Sequence, residues 1–170
     1  MFVLLHNYLE GHNFNSSQFM KFTLILVLGL VLNSSVRAQL AEPVQWSFKA
    51  EKISTTEYKV TLTATMDEGW YVYSQDLSGK GPVATRINFD PSKNIVFEGK
   101  PLELGNKKEV FDQNFNMTVT KLLGKTTYEQ MIKLNGNEKS TVKGKLLYMT
   151  CNGQMCMPPK NIDFNIPLIP

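Results

Sequence analysis

The chain has 170 residues, with 18 basic and 15 acidic side chains, two cysteines and two histidines. Both histidines, His6 and His12, precede a predicted export cleavage point at Ala38, so the mature chain has no imidazole. That excludes Cys-His and Ser-His nucleophile pairs and the usual histidine metal sites, and a mature balance of 16 basic to 14 acidic residues gives no reason to expect nucleic acid or a charged membrane surface as partner.

In chain order, the first organised stretch is Met20-Lys21 before the apolar run Phe22 to Leu32, followed by Asn33-Ser34-Ser35-Val36-Arg37-Ala38. A basic residue, a short apolar run and a Val-x-Ala ending form a secretory signal, and the run is too short to span a membrane. Residues 1–38 therefore read as a signal peptide, with Met20 a candidate start of translation, and 39–170 as the mature chain. At about 130 residues this is one domain, large enough to build a core without a staple.

The mature sequence alternates with period two. Tyr58, Val60, Leu62, Ala64 and Met66 point one way and Lys59, Thr61, Thr63 and Thr65 the other, as in a half-buried strand. Similar runs cover Val44 to Ala50, Trp70 to Tyr73, Thr85 to Phe89, Ile95 to Phe97, Met117 to Leu123, Thr127 to Leu134, Thr141 to Met149 and Ile162 to Leu168. Gly124-Lys125 reads as a tight hairpin turn and Asn135-Gly136-Asn137 as a turn before the strand leading to the cysteines. Short strands with a turn about every 8 to 12 residues and no helical period predict an all-β, immunoglobulin-like antiparallel β-sandwich.

The two cysteines lie in Tyr148-Met149-Thr150-Cys151-Asn152-Gly153-Gln154-Met155-Cys156-Met157-Pro158-Pro159. Asn-Gly between extended runs signals a hairpin, because both residues tolerate positive φ. A short loop there brings Cys151 and Cys156 to facing positions, near the Cα separation of roughly 4.4 to 6.8 Å that a disulfide requires. Pro158-Pro159 cannot donate to a ladder, so the hairpin is cut off and held at an edge where a partner's sulfur can approach. In an exported protein the pair is either a fixed bridge or a cycling one. Four intervening residues and no helix separate the motif from a thioredoxin Cys-x-x-Cys.

Tyr148 to Pro159 resembles the cysteine hairpin of the N-terminal, periplasmic domain of the thiol:disulfide interchange protein DsbD, in the form common among Bacteroidetes-type sequences. The likeness extends to Gly69-Trp70-Tyr71-Val72-Tyr73-Ser74-Gln75, Gly81-Pro82, Phe111-Asp112-Gln113-Asn114-Phe115 and Lys143-Gly144-Lys145-Leu146, and covers residues 43 to 168. It implies a protein-disulfide reductase in the sense of an electron relay, in the periplasm of a Gram-negative bacterium. Cys151 and Cys156 would accept electrons from a thioredoxin-like donor and pass them to oxidised periplasmic proteins. No cofactor, metal or nucleic acid is implied, and no membrane span in the mature chain. Tyr71 and Tyr73 correspond to tyrosines packed beside the pair, and Asp112 to Asn116, including Asn114, to a cap loop whose shielding ring is Phe115. From the double proline, Cys156 is expected to be the better shielded sulfur and Cys151 the attacked one.

Two other readings fit the same residues. One is a secreted β-sandwich interaction module with a structural disulfide. The other is a Cu(I)-binding protein using the cysteines with the soft thioethers of Met149, Met155 and Met157.

Overall fold

A computed structural model describes residues 42–77, 79–136 and 139–169. The predicted signal peptide, Met20 and Asn137 lie outside the described residues. Among them the chain is all-β and antiparallel, with nine strands: β1 (Val44–Lys52), β2 (Glu57–Met66), β3 (Tyr71–Tyr73), β4 (Arg86–Phe89), β5 (Ile95–Asp112), β6 (Met117–Leu134), β7 (Thr141–Tyr148), β8 (Thr150–Cys151) and β9 (Lys160–Pro167). They form a six-stranded sheet in the order β1-β2-β6-β3-β8, with β5 also on β6, and a three-stranded sheet, β4-β7-β9. This is the expected immunoglobulin-like sandwich.

The alternation in β2 sets its register. Tyr58, Val60, Leu62, Ala64 and Met66 are all buried, and they meet Tyr128, Ile132 and Leu134 of β6 and Val142, Leu146, Phe164 and Ile166 of the smaller sheet in one core. Aromatic contacts join the sheets: Phe48 stacks on Phe164 at 5.5 Å and Phe97 on Phe89 at 4.7 Å. Each fully buried Val or Leu in such a core is worth roughly 1.5–3 kcal/mol.

Gly124-Lys125 is not a hairpin turn. β6 runs unbroken through it, and Gly124 uses its positive φ of 69° to form a bulge. Opposite, β5 passes directly from Gly105, paired with Thr126, to Asn106, paired with Leu123. On its other edge β6 changes partner at the same point, from β2 at Lys125 to β3 at Leu123. The glycine answers to a strand changing neighbours, which a local reading cannot distinguish from a chain reversal.

The strand predicted at Ile95 to Phe97 continues to Asp112. Gly99, Pro101, Gly105 and the charged run Lys107-Lys108-Glu109 disguise it as loop. The ladder along β6 carries it through a second irregularity between Glu98 and Leu102. As a result, the β5–β6 hairpin places its tip, Gln113 to Asn116, beside the cysteines.

Candidate functional site

The strand carrying the first cysteine changes sheets. β7 belongs to the smaller sheet and pairs with β4 and β9; after Met149 the chain crosses to the larger sheet, where β8 pairs with β3, Val72 facing Thr150 and Tyr71 facing Cys151. The Thr150 hydroxyl donates to the Tyr71 carbonyl at 2.8 Å and fixes this short pairing. Because successive strand residues face opposite sides, Val72 enters the main core while Tyr71, Tyr73 and Cys151 form a separate apolar cluster on the sheet's other face.

Cys151 and Cys156 are joined in a disulfide and face each other as an antiparallel pair. The Met157 amide donates to the Thr150 carbonyl and the Asn152 amide to the Met155 carbonyl, both at 2.9 Å. These flanking bonds make the cysteines a non-hydrogen-bonded pair, the closer of the two antiparallel types, and their Cα atoms are 4.0 Å apart, a little closer than the expected range. The turn chemistry differs from the expected one: neither Asn152 nor Gly153 has positive φ. The Asn152 side chain instead accepts from the Gln154 and Met155 amides, both at 2.8 Å, in an Asx turn. Met157 supplies the last ladder bond before Pro158-Pro159, so the backbone holds the sulfurs together independently of the S–S bond.

The two cysteines are unequally buried, in the reverse of the expected sense. Cys151 is completely buried, and Cys156 is partly exposed. The sheet decides this: Cys151 is inside a paired strand under Tyr73, while Cys156 is on the returning arm at the edge.

Tyr71 and Tyr73 pack edge to face at 5.6 Å, and Phe115, partly buried at the hairpin tip, meets Tyr73 edge-on at 6.1 Å within the same cluster. The Tyr73 hydroxyl donates to Asp112 Oδ2 at 3.0 Å and is 3.4 Å from Cys151 Sγ; the Tyr71 hydroxyl reaches the Asn152 carbonyl at 3.4 Å. Asp112 is buried at the hairpin base, and its Oδ1 accepts from the Asn114 amide at 3.0 Å, shaping the tip. The Asn114 side chain is exposed. Of the methionines, Met149 packs in the cluster and Met155 is 56% exposed.

The sequence reading missed Lys121. Its ammonium is 2.9 Å from Asp112 Oδ2, donates to the Tyr71 hydroxyl at 2.9 Å and lies 4.1 Å from that ring's centroid. A signal existed: Met117, Val119, Lys121 and Leu123 share one face of β6, so a lysine stands in an otherwise apolar row. Burial opposes ionisation of Asp112, but the Lys121 ammonium, the Asn114 amide and the Tyr73 hydroxyl outweigh it and hold the carboxyl below the usual carboxylate range. Burial likewise works against the Lys121 charge, and the Tyr71 and Asp112 contacts reverse it, raising the ammonium above its ordinary value. Burial first, then Tyr71 and Asp112, push the Tyr73 phenol far above its ordinary value.

No curated protein matches the chain by sequence. Among solved structures, the N-terminal periplasmic domain of ScsB from Proteus mirabilis is similar at 19% identity and a TM-score of 0.52, over 74% of this chain and 46% of that one, so the chain spans less than half of that structure. The N-terminal domain of Neisseria meningitidis DsbD in its reduced form is similar at 17% identity and a TM-score of 0.52, over 79% of this chain and 94% of that one. The same organism's complex between the DsbD and PilB N-terminal domains aligns at 16% identity with a TM-score of 0.50, over 76% of this chain and 88% of that one. These identities establish likeness of fold. The family described as "Thiol:disulfide interchange protein DsbD, N-terminal" matches residues 37–167, nearly all of the described sandwich and both cysteines. With a bridged cysteine pair on that fold, the chain belongs to the DsbD N-terminal family, whose chemistry is thiol:disulfide interchange as an electron-relay disulfide reductase.

Proposed function

We propose that this is an exported, periplasmic relay domain of a Gram-negative bacterium that takes electrons from a thioredoxin-like donor and passes them to oxidised periplasmic proteins. A donor thiolate attacks Cys156, Cys151 leaves, and a mixed disulfide joins the two proteins. The donor's second thiol resolves it, and the reduced pair repeats the exchange in reverse on a client disulfide. Phe115 acts as the cap over the pair, and Asp112, Asn114, Tyr71 and Tyr73 form its surround. The observation that carries this reading is the asymmetry of the bridge, with Cys151 buried and Cys156 partly exposed at a sheet edge. Periplasmic placement is supported by the predicted signal at residues 1–38 and by the described location of the ScsB domain. Docking of a protein partner has a precedent in the Neisseria complex between the DsbD and PilB N-terminal domains.

Trapping tests the proposal. Cys151→Ala, which leaves the reachable sulfur, should collect a partner as a mixed disulfide in the source cell, and Cys156→Ala should collect several-fold less. Mass spectrometry then identifies donor and client. If neither variant captures a thiol protein, the relay reading fails; if only Cys156→Ala does, the attacked sulfur is Cys151.

A further inference from the structure

We propose that Lys121 is a positioning residue of the exchange reaction: it satisfies Asp112 so that the Tyr73 hydroxyl can turn its hydrogen bond onto Cys151 when that sulfur leaves. The inference rests on the reading of Cys156 as the attacked sulfur. Asp112 Oδ2 receives both the Lys121 ammonium at 2.9 Å and the Tyr73 hydroxyl at 3.0 Å, while the same hydroxyl is 3.4 Å from Cys151 Sγ. A phenol has one proton to donate. In the bridged state the carboxylate is the stronger acceptor, and the proton points to Asp112.

When a donor thiolate attacks Cys156 Sγ, a new S–S bond forms there, the Cys151–Cys156 bond breaks, and its electron pair stays on Cys151 Sγ. That sulfur is completely buried, where a thiolate without a donor is costly. Tyr73 can turn to it because Asp112 does not then lose its last partners: Lys121 remains on Oδ2 and the Asn114 amide on Oδ1. The phenolic proton stays on its oxygen throughout, consistent with a hydroxyl whose acidity burial has weakened. A better stabilised leaving thiolate leaves faster.

Lys121 is built to hold this position. It is the register partner of Tyr73 on β3 and of Lys108 on β5, and the Tyr71 hydroxyl and ring anchor its ammonium. The ionisable groups around the sulfur are Asp112, Lys121, Tyr71 and Tyr73, with exposed Lys108 across the ladder from Lys121. Without Lys121, the Tyr73 proton would be pinned on Asp112, and the thiolate would form beside an uncompensated carboxylate.

The test titrates Cys151 alone, in the reduced Cys156→Ala protein, by the ultraviolet absorbance of the thiolate. Lys121→Met should lower the thiolate fraction at a fixed pH well below the midpoint about tenfold, one unit of pKa, and Lys121→Arg should restore most of it. On a Tyr73→Phe background the same Lys121→Met change should have less than a twofold effect. An unchanged titration in Lys121→Met, or an equal effect on both backgrounds, overturns the proposal. Should Lys121→Met not fold, Tyr73→Phe alone decides: it should reduce the thiolate fraction by a similar factor, and an unchanged value is equally fatal. This readout involves no donor protein, so it is separate from the trapping result that identifies the attacked sulfur.

Discussion

Asp112 links the tip of the β5–β6 hairpin, through the Asn114 amide, to Tyr73 and Lys121. Its folded carboxyl titrates below the unfolded value of about 3.9, so its contribution to stability is complete above that pH and is lost as pH falls through the folded value. Lys121 behaves in the opposite sense: its contribution is complete below about 10.4 and is lost as pH rises through the raised folded value. Between roughly pH 5 and 9 neither group titrates, so the pH dependence of disulfide reduction there should follow the attacking thiol alone. Asp112→Asn should cost about 1.5–3 kcal/mol at neutral pH, the range for hydrogen bonds to charged groups, with the deficit shrinking below about pH 4; urea midpoints across pH measure it. A deficit constant down to pH 2 would mean the carboxylate charge has no part in it. Phe115 carries a second expectation. Since access is one determinant of exchange rate, Phe115→Ala should speed reduction by dithiothreitol several-fold while costing no more than about 1 kcal/mol, because the ring is only partly buried. An unchanged rate removes it from the cap. Family resemblance made Tyr71, Tyr73, Asp112 and Phe115 legible in the sequence; Lys121 required the parity of β6, and the order of shielding required the pairing of β8.

At the scale of elements, the sequence discloses what local alternation carries and conceals what a neighbour imposes. The buried face of β2 is plain because its residues alternate without interruption, and every predicted run is extended, although those at Met117 to Leu123 and Thr127 to Leu134 are parts of the one strand β6. β5 is concealed because Gly99, Pro101 and Gly105 resemble loop and only the ladder to β6 makes them strand. Gly124 misleads because positive φ serves a bulge as well as a turn. The cysteine loop inverts that error: Asn152-Gly153 looks like a positive-φ turn, yet the Asn152 side chain does the work through two amides. A Cβ on Gly153 meets nothing within 4 Å, and its φ is open to any residue. Gly153→Ala should therefore leave stability unchanged or raise it by about 0.4–1 kcal/mol by restricting the unfolded chain. Asn152→Ala should be destabilising, since the two amides lose their acceptor. Thermal unfolding of the two variants distinguishes this turn from a positive-φ one, in which the glycine substitution would be the damaging change.

For the whole molecule, the decisive arrangement is that the chemistry and the core occupy different places. The main core lies between the sheets and contains neither cysteine, whereas Cys151 belongs to a smaller cluster on the far face of the larger sheet. The bridge closes a loop of only four residues, which in the chain-entropy account stabilises by roughly 2 kcal/mol. A sandwich of this size supports its own core, so the bridge is free to open and close. The double variant Cys151→Ala, Cys156→Ala should fold to the same sandwich and lose no more than about 2–3 kcal/mol in urea unfolding. The native disulfide should equilibrate with glutathione or a thioredoxin at a potential above about −300 mV, outside the range of structural bridges. A double variant that does not fold, or a potential below that value, would make the pair a staple and leave this member of the family without its exchange chemistry.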